Sequence, residues 1–214
     1  FYPFKGEYLV SSKTAVVSPT YMNILYEKVD NPVKISVPGY SASQITATIS
    51  NGTIKATKKS LGEYMAYPTK AGTPAIVTLY ANVEGKRTKM GSMDFRVKKV
   101  PPPKPEIKFT IFDNGEYIID KTKMQTAGGV SAKMKDFDFK GINYVIISYK
   151  MTGNYKGQQQ SDVSKGPGFT DKMTAIIRNT KIGNEITITN IKAKRTDAKG
   201  TDVVNLDPLV LKIK

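Results

Sequence analysis

Carboxylates, lysines and hydroxyls are the side chains this sequence has available for chemistry, because none of its 214 residues is His, Cys or Trp. His titrates near neutral pH and is the commonest metal ligand, while Cys supplies thiolate nucleophiles, soft metal ligation and disulfides. Ser-His-Asp and Cys-His catalysis, zinc sites of the usual kinds and His-ligated iron are therefore excluded. Paired carboxylates remain, and Asp136 and Asp138 flank Phe137. In a strand this spacing places both carboxylates on one face and Phe137 and Phe139 on the other, which is ordinary amphipathic alternation rather than an acid–base pair. Asp113-Asn114-Gly115-Glu116 offers oxygen ligands but lacks the D-x-[DN]-x-[DN]-G spacing of a calcium loop, and it reads as a β-turn. No Ser is followed three residues later by Lys, so the S-x-x-K acyl-enzyme signature is missing. Gly166-Pro167-Gly168 matches no phosphate-cradling pattern. Asn51-Gly52-Thr53 fits the glycosylation sequon, but a hairpin turn accounts for it without a sugar. The expectation is a binding or scaffolding protein and not an enzyme, with no catalytic residue, no metal site and no cofactor.

The chain is strongly basic, with 33 Lys and Arg against 18 Asp and Glu. The charge is spread evenly: 14 basic and 6 acidic residues up to Val100, then 19 and 12 beyond it. Arg, the residue that grips phosphate and reads bases bidentately, occurs only at 87, 96, 178 and 195. Lysines scattered along strands are instead a common guard against edge pairing, so the charge reads as solvated faces and no nucleic-acid partner is expected. Without Cys there is no disulfide framework. No window approaches ~18 consecutive apolar residues, so no helix here would cross a bilayer. The chain begins at Phe1 and not Met, which suggests a processed or excised piece that has lost a signal or anchor.

The elements that position these residues are mostly strands. Val100-Pro101-Pro102-Pro103-Lys104-Pro105 packs four prolines into five positions and predicts a semi-rigid, extended linker. It separates an immunoglobulin-like β-sandwich over 1–100 from a second β-sandwich with short helices over 107–214, the linker covering 101–106. The fold class is therefore all-β, a tandem of sandwich domains with one or two short helices. Residues 45–49 and 53–57 alternate with period two around Asn51-Gly52 and predict a type I′ hairpin. Residues 75–83 and 89–97 predict a second one across Glu84-Gly85-Lys86. Shorter strands are expected at 8–11, 15–18, 24–26, 33–37 and 63–67. After the linker, strands are expected at 108–112, 130–134, 144–152, 185–193 and 209–213, with Val145, Ile147, Tyr149 and Met151 forming one apolar face. Thr122 and Gln125 resemble a capping box closed by Gly128-Gly129, and Thr170 can cap a helix whose Met173, Ile176, Ile177 and Thr180 share a face. Between strand and helix, residues 153–168 hold three Gln, four Gly and a Pro, a composition that predicts a long polar contact loop.

Three stretches carry a likeness to a known family. Val17-Ser18-Pro19-Thr20-Tyr21-Met22-Asn23-Ile24-Leu25-Tyr26, with Val29-Asp30-Asn31-Pro32-Val33 and Ile35-Ser36-Val37-Pro38-Gly39, resembles the periplasmic region of the GldM/PorM family of gliding motility and type IX secretion in Bacteroidetes. Met90-Gly91-Ser92-Met93-Asp94-Phe95-Arg96-Val97-Lys98 running into the prolines resembles the junction between that family's last two periplasmic domains. Asp136-Phe137-Asp138-Phe139, Ile188-Thr189-Asn190-Ile191-Lys192-Ala193 and Leu206-Asp207-Pro208-Leu209 follow in the expected order. The resemblance implies a homodimeric periplasmic stalk, anchored in the inner membrane by a helix outside this sequence. It further implies a GldL/PorL-type inner-membrane motor partner and a GldK/GldN (PorK/PorN) ring at the outer membrane. Three consecutive prolines depart from the family's usual junction. In the 153–168 loop, Tyr155, Lys156 and Lys165 are the candidate partner-binding residues, joining an amphipathic ring to positive charge. The rival reading is a surface adhesin or carbohydrate-binding tandem, which the lack of Trp disfavours.

Overall fold

Alternating apolar residues between turn signals produce strands that bury one face. A computed structural model describes residues 22–58, 61–135, 137, 139, 141–197 and 202–214. The strands expected at 8–11 and 15–18, and the Asp136/Asp138 pair, lie outside the described residues. The chain divides into two compact units, Phe1–Val100 and Pro101–Lys214.

The first unit is a sandwich of a four-stranded and a three-stranded sheet. One sheet runs β1 (Ile24–Tyr26), β7 (Lys86–Lys98), β6 (Ala75–Val83), β3 (Ile45–Ile49); the other runs β2 (Asn31–Lys34), β5 (Glu63–Tyr67), β4 (Thr53–Ala56). Leu25, Ile45, Ala75, Val77 and Val97 from the first face Tyr64 and Ala66 from the second, with Ile49, Ile54 and Phe95 shared between the two buried clusters. The Tyr64 hydroxyl crosses the core to donate to the Ile45 carbonyl at 2.8 Å. β6 and β7 form the expected hairpin, Val83 pairing Lys86 around Glu84 and Gly85, whose φ values of 50° and 81° are those of a type I′ turn.

The other expected hairpin does not form. β3 pairs with β6 and β4 with β5, so Asn51-Gly52 carries the chain from one sheet to the other. Asn51 is only 8% exposed. Its amide donates to the carbonyls of Lys70 at 2.8 Å and Thr73 at 2.9 Å, and its oxygen accepts from the Thr69 hydroxyl and the Lys70 N–H. Gly52 sits at φ 113°, where an added Cβ would stand 2.1 Å from the Tyr67 carbonyl oxygen. The burial of its amide also removes Asn51 as a glycan acceptor. The β1-to-β2 crossing uses the same device: buried Asn31 accepts from the Tyr26 N–H and donates to the Tyr26, Val29 and Ala66 carbonyls.

The second unit is built on a large sheet in the order β13 (Gln158–Ser164), β12 (Tyr144–Tyr155), β14 (Glu185–Arg195), β16 (Leu209–Ile213), β10 (Glu116–Ile119), β9 (Ile111–Asp113), with β15 (Val203–Asn205) on β14. The layer against it consists of α1 (Lys121–Ala127), α2 (Asp171–Asn179) and the ribbon of β8 (Lys104–Glu106) with β11 (Ser131–Lys133). Met124, Met173, Ile176 and Ile177 from the helices, together with Ile107 and Val130, join Ile146, Tyr149, Met151, Ile186, Ile188 and Leu211 in one buried cluster. The last residues of the proline-rich segment thus belong to a ladder, with Pro105 opposite Ala132 at a sheet edge where its missing N–H costs least.

Four details differ from the sequence expectation. The 145, 147, 149, 151 face breaks because the β12–β14 register shifts twice, once around Ile147 and once around Asn190, which takes φ 51°. The bulges turn Ile146, Tyr149 and Met151 inward and leave Val145 exposed. Residues 108–110 turn and do not extend, Phe109 lying at φ 72°, so the strand starts at Ile111. Asp120, not Thr122, caps α1, accepting from the Lys123 N–H at 2.9 Å, while Gly128 closes the helix at φ 71°. Residues 153–168 are largely a hairpin: β12 continues to Tyr155, turns at Lys156 and Gly157, and returns as β13. Thr170 caps α2 as expected, its hydroxyl accepting from the Met173 N–H at 3.1 Å.

Candidate interaction surfaces

Among the described residues no cluster of three or more Asp, Glu, His or Cys side chains could hold a metal, and no helix is long and apolar enough to cross a membrane. The surfaces that remain are built from sheet edges, and among the described residues the main path of the second unit's large sheet ends at β13 and β9.

At the β13 edge, Tyr155 and Lys156 occupy the tip of the β12–β13 hairpin, with the Lys156 ammonium 5.5 Å from the Tyr155 ring centre. Lys156 is exposed, whereas Tyr155 is half-buried and packs on the core. Lys165 follows the opposite end of β13, about 20 Å away along a strand of this length. The structure therefore brings two of the three candidate residues together and separates the third. Beside the tip, Thr152, Asn154, Gln159, Asn184 and Glu185 line an open polar cleft of about 430 Å³. Gly153 lies at its base, where a Cβ would stand 2.7 Å from an Ile176 methyl, so α2 docks on β12 only because this position has no side chain.

The hairpin's far end is fixed from inside. The Tyr149 hydroxyl donates to the Gly168 carbonyl at 2.8 Å and lies 3.3 Å from that of Pro167, and the Ser164 hydroxyl donates to the same Gly168 oxygen at 2.7 Å. Burial pushes the Tyr149 hydroxyl up to about 12, the neighbouring Ser164 hydroxyl offsetting part of the rise. Arg195 is buried on β14 and held by Asp197 at 2.7 Å. Burial likewise raises Tyr144, against the opposing pull of the Arg195 charge.

The β9 edge was not legible in the sequence, where 108–112 reads as one ordinary strand. Ile111 and Phe112 are 62% and 64% exposed, and Phe109 and Tyr117 flank them at the surface. Phe112 stacks obliquely on Tyr117 across the β9–β10 pair, ring centres 4.9 Å apart. Beside Ile111 a cleft of about 410 Å³ is lined by Phe109, Ile118, Lys123 and Lys214, and a second cleft of about 250 Å³ lies further into the sheet, over β10 and β16, along Glu116, Val210 and Lys212. At the turn end Glu116 pairs with Lys212 at 2.9 Å, a bond that raises the lysine's pKa. The signal that could have marked this edge is Ile111-Phe112 standing directly before the Asp113-Asn114-Gly115 turn, which limits the strand to three residues at a sheet margin.

Known families cover both units. The family model for the GldM third domain matches residues 14–98, and that for the GldM C-terminal domain matches residues 101–214. No curated protein matches the chain. With two consecutive domains of one family accounting for nearly all of its residues, the chain belongs to the GldM family and carries that family's third and C-terminal domains.

Proposed function

We propose that this chain is the outer part of a dimeric periplasmic stalk that links an inner-membrane motor to a ring at the outer membrane and transmits force between them. At the coarser level, its domains are those of a structural component of the gliding-motility and type IX secretion machinery, a family not known for enzymes. The observation that carries the reading is the serial match of two GldM domains along one chain. Two β units in series suit a mechanical role, and the proline-rich segment between their cores restricts the backbone where a floppy tether would dissipate force. Pairing two chains side by side would stiffen such a rod.

In this reading a GldL/PorL-type protein engages the region preceding these domains, and the C-terminal unit meets the GldK/GldN (PorK/PorN)-type ring. Tyr155 and Lys156 at the β12–β13 tip are the contact residues we favour there, with Lys165 a separate, weaker contributor. Light scattering on the chain at micromolar concentration should give twice 23.6 kDa, and a mass at the monomer value would count against the dimer. Capture of ring proteins from membrane extract should drop when Tyr155 and Lys156 are both replaced by Ala. Undiminished capture would remove the tip from the interface.

A further inference from the structure

We infer that the open edge of β9 is a strand-addition site for an extended, apolar segment of a partner protein whose acidic residues lie at the Ile111 end. Four observations converge. First, β9 ends the sheet, and its two-residue turn makes Asp113 and Glu116 a hydrogen-bonded pair. Ile111 and Ile118 then form the next such pair, so the intervening Phe112 directs its N–H and C=O away from β10 and toward an incoming strand. Second, both faces of the edge are apolar: Phe112 lies over Tyr117 on one, and Ile111 pairs with Ile118 on the other. A guest strand alternates its side chains between two faces: on one it meets the cleft beside Ile111, on the other the exposed Phe112–Tyr117 pair. Third, Phe109 holds φ 72°, a costly conformation for a bulky side chain, and in it the ring lines the larger cleft.

The fourth observation selects the partner's charge. Lys108 sits over the Phe109 ring at 5.0 Å, and Lys123 and Lys214 line the same cleft. One carboxylate, Asp120, shares that lining and accepts from the Lys123 N–H, which leaves the ammonium groups of Lys108, Lys123 and Lys214 in excess. The opposite end of β9 carries Asp113 and faces Glu116, which is held by Lys212. The edge is thus positive at Ile111 and mixed at the turn, a polarity that orients a guest acidic at one end. This inference is independent of the stalk reading, and β9 lies at the opposite margin of the sheet from the β12–β13 tip.

The test uses the whole 214-residue chain and fluorescence anisotropy with labelled short peptides that share a Val-Thr repeat and end in a run of Asp, Ser or Lys. The Asp peptide should bind about tenfold more tightly than the Lys peptide at low salt, the gap closing at high salt. Phe112→Pro removes the outward N–H without touching a bond to β10 and should weaken the Asp peptide at least about tenfold. Phe112→Asp, which keeps that N–H, should weaken it through lost apolar contact and local repulsion. Lys123→Glu with Lys214→Glu should reverse the preference, whereas Tyr155→Ala with Lys156→Ala should change nothing. Absence of binding by all three peptides, equal binding of the three, or unchanged binding to both Phe112 variants would overturn the inference. So would light scattering in which the chain is dimeric but Phe112→Pro is monomeric, because the edge would then belong to a second copy.

Discussion

Tyr149 is the side chain where burial, hydrogen bonding and ionisation meet. Its hydroxyl ties β12 to the Pro167-Gly168 turn from within the core. Ionisation would place a charge among apolar neighbours, and this is why its pKa rises to about 12 from an ordinary 10.0. Below pH 10 the folded and unfolded chains both keep the proton, so the group adds no pH dependence. Between 10 and 12 the unfolded chain releases it first, and stability falls as pH rises through that window. Burial raises Tyr64 and Tyr144 in the same direction, so they add to the decline. The urea midpoint should drop over this range, and it should drop less in Tyr149→Phe, which at neutral pH should cost only about 1 kcal/mol for the lost bond. An equally steep decline in that variant would assign the effect to other groups.

At the scale of elements, the two buried asparagines decide how strands are distributed between the sheets of the first unit. The 3.3 Å-per-residue alternation on both sides of Asn51-Gly52 suits a hairpin as well as a crossover. The choice falls to the crossover because Asn51 finds four partners in the 69–73 loop and because Ile49 and Ile54 can then enter the core from opposite layers. Asn51→Ala would leave the Lys70 and Thr73 carbonyls and the Lys70 N–H without it. We expect a loss of about 2–4 kcal/mol in denaturant unfolding, more than a surface turn would give. Asn51→Asp should rescue little, since a carboxylate cannot donate to those carbonyls. A change below about 0.5 kcal/mol would mean that the loop has other anchors.

At the scale of the whole molecule, each unit has its own buried core, and the chain leaving β7 is exposed at Lys99. We propose that the domain boundary lies between Lys98 and Ile107, and limited trypsin digestion should cut after Lys99, which follows β7, and spare Lys98, paired in β7, and Lys104, which precedes Pro105 and is paired in β8. Stable fragments ending elsewhere, with none near residue 99, would refute that boundary. Much of this organisation was readable without coordinates. Ile24–Tyr26, Glu63–Tyr67 and Leu209–Ile213 are strands with the boundaries their alternation predicts, the Glu84-Gly85 turn closes its hairpin, and Thr170 begins α2. These are matters of local period, turn conformation and capping, which a few neighbouring residues determine. What the tertiary structure alone decided is which strands pair, where bulges reset a face and which edges stay open. Period-two alternation is the same whichever neighbour a strand takes, so the route at Asn51, the inward turn of Ile146 and the exposed margin at Ile111-Phe112 depend on partners far away in the chain.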